Sequence, residues 1–383
     1  MKYPLFVAGL VSCVAFSSSV TAGAAVNDHL AVYGDVRFGF YSLDRSDRDG
    51  SQSRTSELRL RVRPGIKASF SDALSGAIRL AGRYSTDDRN HNHFEWFSSI
   101  PAGDGLRRGD STIDEIYINY QPNLKLNLRV GRMQTKFELD GVAKKSLDRN
   151  NSPNSDITWT DGLYLKYALS SDWKAHFIVQ YNDSNGSTEV RRSPLDFRDG
   201  GSRASYFAAL ESKKPAGPFV QRGVDITYIP SALLVDGTAT GRVDDYIAMV
   251  GRAAARWPVG GEGMKFLLGG ELGYALNTQT EAAAKTGGGD EVGGLATQVT
   301  FNFIDFIPAH SFGLVLARAD AGWLLSPDFR NNNTLIEGRY KWQLAKKHKF
   351  EGRLRQREDI KQLTSATEKR TDVDIYLRYT YKF

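Results

Sequence analysis

The sequence predicts an all-β fold: a transmembrane antiparallel up-and-down β-barrel of about sixteen strands. Three observations carry that reading. Apolar residues recur at every second position along most of the chain, which places them on one face of a strand. Aromatic residues sit at the ends of those apolar faces, among them Tyr84, Tyr120, Trp159, Trp173, Tyr181, Tyr228, Trp257, Tyr274, Trp342 and Tyr379, as at the two boundaries of a bilayer. Short connections alternate with long, polar ones, an arrangement that a soluble sandwich has no reason to adopt.

The 383 residues include 37 glycines, 17 tyrosines, 20 phenylalanines and one cysteine, and carry a formal charge of +6. Lys2, an apolar stretch over 5–16 and the small-x-small Ala22-Gly23-Ala24 read as an export signal over 1–24, cleaved from a barrel over 25–383. Leu10-Val11-Ser12-Cys13 loosely spells a lipoprotein box, but the apolar run continues past Cys13 to Phe16. Because Cys13 lies in that signal, the remainder offers no disulfide, thiolate metal site or cysteine nucleophile. Beyond it no apolar run approaches the length of a membrane helix, which excludes a polytopic helical protein.

The strands follow in order at 29–41, 55–69, 74–85, 112–121, 124–134, 158–169, 172–182, 203–212, 219–229, 243–257, 263–277, 293–303, 309–323, 333–344, 348–358 and 371–383. Leu58-Arg59-Leu60-Arg61-Val62-Arg63 sets the pattern for the second, with apolar even positions and cationic odd ones. The apolar set is even over 116–120, 124–130, 266–276 and 336–344, and odd over 159–169, 173–181, 295–303 and 373–383. The face over 203–229 is ambiguous, and Arg318 and Asp320 interrupt 309–323. Turns at 70–73, 122–123, 170–171, 213–218, 258–262, 304–308 and 345–347 alternate with longer stretches, the longest at 86–111, 135–157 and 183–202. Inside a bilayer every backbone group needs a partner, and only a closed sheet supplies that for strands.

If the apolar face meets lipid, the other face lines the interior. It would carry Asp35 and Arg37, then Arg59, Arg61, Arg63 and Lys67, then Arg79 and Arg83. Arg353, Arg355 and Arg357 beside Glu351, and Arg378 and Lys382 beside Asp374, complete it. Closure makes these five strands one basic wall, while inward acids elsewhere are few: Glu115, Asp225, Glu271 and Glu337. Two readings stay open. Hydrated guanidinium groups in a narrow pore concentrate anions, or they pair with loop acids and stiffen the barrel. Inward Tyr33, Tyr117, Tyr164 and Tyr376 leave a sugar path open as well.

Val373, Ile375, Leu377, Tyr379, Tyr381 and the final Phe383 alternate and end on an aromatic residue. This resembles the C-terminal assembly signal (Tyr379, Tyr381, Phe383) of Gram-negative outer-membrane porins, and Val130-Gly131-Arg132-Met133-Gln134 is similar to the stretch that ends the fifth strand of many of them. The resemblance implies an outer-membrane location, the barrel-assembly machinery and membrane lipid as partners, and a homotrimer. It also implies a third loop, about 135–157, folded into the lumen as a constriction. Glu138 and Asp140 would form its acidic face, opposing the basic wall and setting up a transverse field; Lys144 and Lys145 depart from the porin pattern. Passive passage of small hydrophilic, preferably anionic solutes is then expected, with no catalysis, cofactor, metal or nucleic acid. A substrate-specific channel for phosphate, an organic acid or a sugar, and a non-conducting structural or adhesive surface barrel, are the alternatives. His91 and His93 lack a third ligand, Arg108-Gly109-Asp110 is a chance adhesion spelling, and Gly287-Gly288-Gly289-Asp290 lacks a phosphate-loop lysine.

Overall fold

The structure is a computed structural model describing residues 24–86, 111–149, 159–182, 193–197, 203–260 and 263–383. The expected export signal up to residue 23, His91, His93, the Arg108-Gly109-Asp110 tripeptide, the end of the third loop (150–157) and most of 183–202 lie outside the described residues. A short β1 (Ala24–Asn27) precedes β2 (Leu30–Ser46), β3 (Gln52–Ser69), β4 (Leu74–Ser85), β5 (Ser111–Tyr120), β6 (Leu126–Met133), β7 (Thr160–Ala168), β8 (Lys174–Asn182) and β9 (Arg203–Ser212). Then come β10 (Phe219–Leu234), β11 (Val243–Pro258), β12 (Lys265–Ala275), a one-turn helix α1 (Glu281–Ala284), β13 (Leu295–Ile307), β14 (His310–Ala319), β15 (Asn333–Ala345), β16 (His348–Asp359) and β17 (Thr371–Lys382).

Each long strand pairs antiparallel with its sequence neighbour, and β17 pairs with β2 from Thr371↔Ser46 to Lys382↔Asp35. The sheet is therefore a closed ring of sixteen strands, with no open edge among the described residues to leave backbone donors in hydrocarbon. Phe383 completes the seam by exchanging both backbone hydrogen bonds with Gly34, each 3.1 Å. Only glycine fits there, because a Cβ would lie 2.0 Å from the Arg63 carbonyl oxygen and 2.7 Å from the Phe383 ring.

The polarity is inside out. Leu58, Ile78, Val130, Leu272, Ile336 and Leu354 are exposed, whereas Arg61, Arg79, Arg83, Glu115, Glu271 and Glu337 are buried. That is the arrangement the alternating pattern predicts for a barrel in lipid. The ambiguous β9 resolves the same way, with Tyr206 and Leu210 exposed and Phe207 and Ala209 buried.

Several boundaries move. Strands β2 and β3 run past residues 41 and 55 and meet in a tight turn, closed by Asp47 N–H to Ser51 O at 2.8 Å, with Gly50 at φ 82°. Strand β10 continues beyond 229 through a bulge between Ile229 and Leu233. Pro230 supplies no N–H there, and Asp245 accepts from Ser231 N–H at 2.7 Å. Strand β14 stops at Ala319 rather than 323. Beyond it Trp323 turns inward over Gly273, where a Cβ would stand 2.5 Å from the indole.

Candidate functional site: the lumen

The arginines expected on the inner wall are not independent of one another. Arg61 and Arg63 share Asp35, the first at 2.8 Å. Arg59 and Arg83 share Glu57. Arg353, Arg355 and Arg357 all meet Asp374, and Arg378 and Lys349 share Glu351, each at 2.9 Å. Arg79 spans Asp114 at 2.7 Å and Glu115 at 3.1 Å. The expectation of freely hydrated guanidinium groups is corrected on this point. Their partners are carboxylates of the same or nearby strands rather than loop acids, and inward acids are more numerous than the alternation indicated.

One cause is a register shift between Arg79 and Leu80 against β5, which turns Asp114 and Glu115 inward together. Even so, several carboxylates each serve two or three cations. Arg37, Arg61 and Arg83 face one another directly across β2, β3 and β4, a like-charge row that opposes folding unless counter-charge is near. Lys67 and Lys382, by contrast, stand exposed at the short-turn end, Lys67 over the Tyr33 ring at 4.5 Å.

Aromatic rings carry part of the wall. Tyr376 and Tyr41 pack 5.5 Å apart. The guanidinium groups of Arg353 and Arg378 lie 4.1 and 4.5 Å from the Tyr376 centroid, and that of Arg59 lies 4.3 Å from Tyr41. Cation–π contact holds each charge in place while leaving its hydrogen-bonding edge usable.

The opposite side of the lumen belongs to the third loop. Phe137 packs on Ile178, Phe207 and Ala209; Leu139 packs on Val220, Ala254 and Leu267. Ala143 and Leu147 join a larger apolar cluster with Leu195, Phe197, Leu233, Tyr246, Trp323, Leu324 and Phe329. Two buried wall residues clip both limbs of the loop. Arg252 donates to Phe137 O and Asp225, Glu271 accepts from Leu147 N–H at 2.9 Å, and the two pair at 3.1 Å.

The third-loop charges split. Lys145 is buried against Glu337 at 3.0 Å, and burial pushes its ammonium down to about 8, with Glu337 and Asp328 opposing that shift. Lys136, Glu138, Asp140 and Lys144 stay partly or fully exposed. Glu138 pairs with Lys136 at 3.4 Å, so the expected acidic face is balanced by neighbouring lysines.

Arg132, in the porin-like stretch, is outside the lumen. It alternates with the inward Met133 and is held by Asp161 at 2.7 and 3.0 Å. At the other end of the barrel, Tyr379 bonds His348 and the Tyr381 and Phe383 rings lie 6.1 Å apart, beside the short turns. Sequence reasoning missed Arg252 and Arg339, although alternation over 333–344 already put Arg339 inward with Glu337, its ion-pair partner. Asp114 carried no such signal, because a bulge breaks the period that would find it.

No protein-family model matches the chain, and no curated protein does either. Among solved structures it is similar to OprB of Pseudomonas putida, at TM-score 0.58 and 10% identity over 96% of this chain and 99% of that one. The outer-membrane channel DcaP of Acinetobacter baumannii matches at TM-score 0.53 and 13% identity, over 95% and 100%. An anion-selective porin from Comamonas acidovorans matches at TM-score 0.51 and 12% identity, over 92% and 99%. The chain therefore has the fold of the sixteen-stranded outer-membrane porins.

Proposed function

We propose that the chain is a passive outer-membrane diffusion channel for small hydrophilic solutes, preferring anions. The observation that carries this is the shared carboxylates: Asp35, Glu57, Glu351 and Asp374 each serve two or three cations. An uncompensated positive field in a low-dielectric wall raises the local anion concentration. Segment 135–149 sets the cross-section by occupying the other side, so solute passes between its exposed lysines and carboxylates and the arginine wall. Residues 1–24 direct export, Tyr379, Tyr381 and Phe383 present the chain to the assembly machinery, and the working unit is a homotrimer in outer-membrane lipid.

A substrate-specific channel for an organic acid or phosphate is favoured by one further observation. The packed Tyr41, Tyr376, Arg59, Arg353 and Arg378 offer both aromatic surface and guanidinium edges. Single-channel recording of the full chain in planar bilayers under a KCl gradient tests the proposal. Steady ohmic steps with an anion-selective reversal potential are expected. Cation selectivity removes the proposed role of the wall, and absence of conductance returns the barrel to the structural reading.

A further inference from the structure

Resting on that channel reading, the long-loop mouth carries a more specific assignment. Asp372 stands in one cross-strand row between Arg357 of β16 and Arg45 of β2. Its carboxylate accepts from Arg45 Nε at 3.1 Å, from Arg370 Nε and Nη2 at 3.1 and 3.2 Å, and from Arg330 Nη1. The acid is buried to 1% side-chain exposure, whereas Arg45, Arg330 and Arg370 are 25%, 36% and 20% exposed. The one carboxylate is thus sunk beneath three cations that solvent reaches. Beside it Arg48 grips Asp359 with two hydrogen bonds, at 2.6 and 3.0 Å, and Arg357 leans on Asp374 at 3.4 Å.

The cluster is held in advance of any ligand. Asn332, two residues from Arg330, bonds Lys361 in both directions at 2.8 and 3.0 Å. Thr367 N–H bonds Arg48 O at 2.9 Å. A guanidinium carries five N–H donors and Asp372 takes only one or two from each, so donors remain in a planar geometry suited to carboxylate and phosphate. Three guanidinium groups on one acid leave a surplus of two positive charges within a few ångströms, well inside the screening length.

We propose that Arg45, Arg330 and Arg370 form an entry subsite for oxyanions carrying two or more negative charges, a phosphate or a di- or tricarboxylate, which is captured at the long-loop end before it meets the wall below. Asp372 is the internal template for that ligand. Chloride lacks both the second charge and the planar pair of acceptors, so it competes poorly.

The test uses the full chain in planar bilayers, with citrate or inorganic phosphate added to one side of a KCl-bathed channel. Citrate on the long-loop side is expected to block the chloride current at a lower concentration than on the short-turn side. Arg330→Gln should raise the blocking concentration about tenfold, the worth of one charge-assisted hydrogen bond. Arg242→Gln, at a loop residue paired with Glu291 away from the cluster, should leave it unchanged. Equal block in wild type and R330Q, or block independent of side, overturns the subsite; Arg370→Gln replaces R330Q if that variant does not assemble. Should the wild type fail to conduct, the channel reading falls and the subsite is judged by calorimetric titration of citrate into the detergent-solubilised barrel. Heat lost in the variant sustains the subsite, and no heat in either protein removes it.

Discussion

Asp35 is the residue on which much of the β2–β3 wall depends. It is buried, and both Arg61 and Arg63 converge on it. A buried acid stripped of its cations is far costlier than the same site made neutral. Replacing Arg61 and Arg63 together by Ala should therefore cost about 3–5 kcal/mol, measured as a lowered urea midpoint in detergent micelles. Adding Asp35→Asn should recover most of it, and identical midpoints with and without that change would show that the pairing contributes nothing. The arginines themselves were legible, since Leu58-Arg59-Leu60-Arg61-Val62-Arg63 admits only one face for them. The strength of their pairing was not, because it depends on Asp114 arriving through an irregular rung; Glu57 shares the odd face of Arg59 and was within reach of the same alternation.

At the scale of the element, the third loop is positioned by burial on one side and charge on both. Its odd residues Phe137 and Leu139 fill the wall, so the intervening Lys136, Glu138 and Asp140 are left towards the passage. Lys145 ties its tip to Glu337. The ammonium has an ordinary value of 10.5 and falls to about 8 when docked, so docking releases protons and is favoured as pH rises from 8 towards 10.5. Conductance at pH 10 should be smaller and steadier than at pH 7, and Lys145→Met should remove the difference. An unchanged pH profile in that variant would assign the effect to another group. The entry of this loop into the barrel was anticipated by resemblance alone; its anchors Arg252 and Glu271 face inward between small or apolar neighbours, Val250 and Ala254 on β11 and Gly269 and Gly273 on β12.

Over the whole molecule, alternation and connection length were enough to locate every strand of the ring, because inverted polarity repeats sixteen times and one misplaced boundary does not disturb its neighbours. What they could not give is how the interior is filled. That depends on contacts such as Trp323 against Gly273 and Leu195 against Leu233, between segments far apart in the chain and without a period of their own.

The filling is one-sided. Strands β10 to β15 are bolstered from within by the large apolar cluster, whereas β2 to β4 hold their shape largely through ion pairs and backbone bonds. A cylinder stiffened along half its circumference yields first on the other half. Amides of β3 and β4 should exchange with deuterium sooner than those of β11 and β14 as urea is raised, and uniform exchange around the ring would mean that the inner packing lends no rigidity.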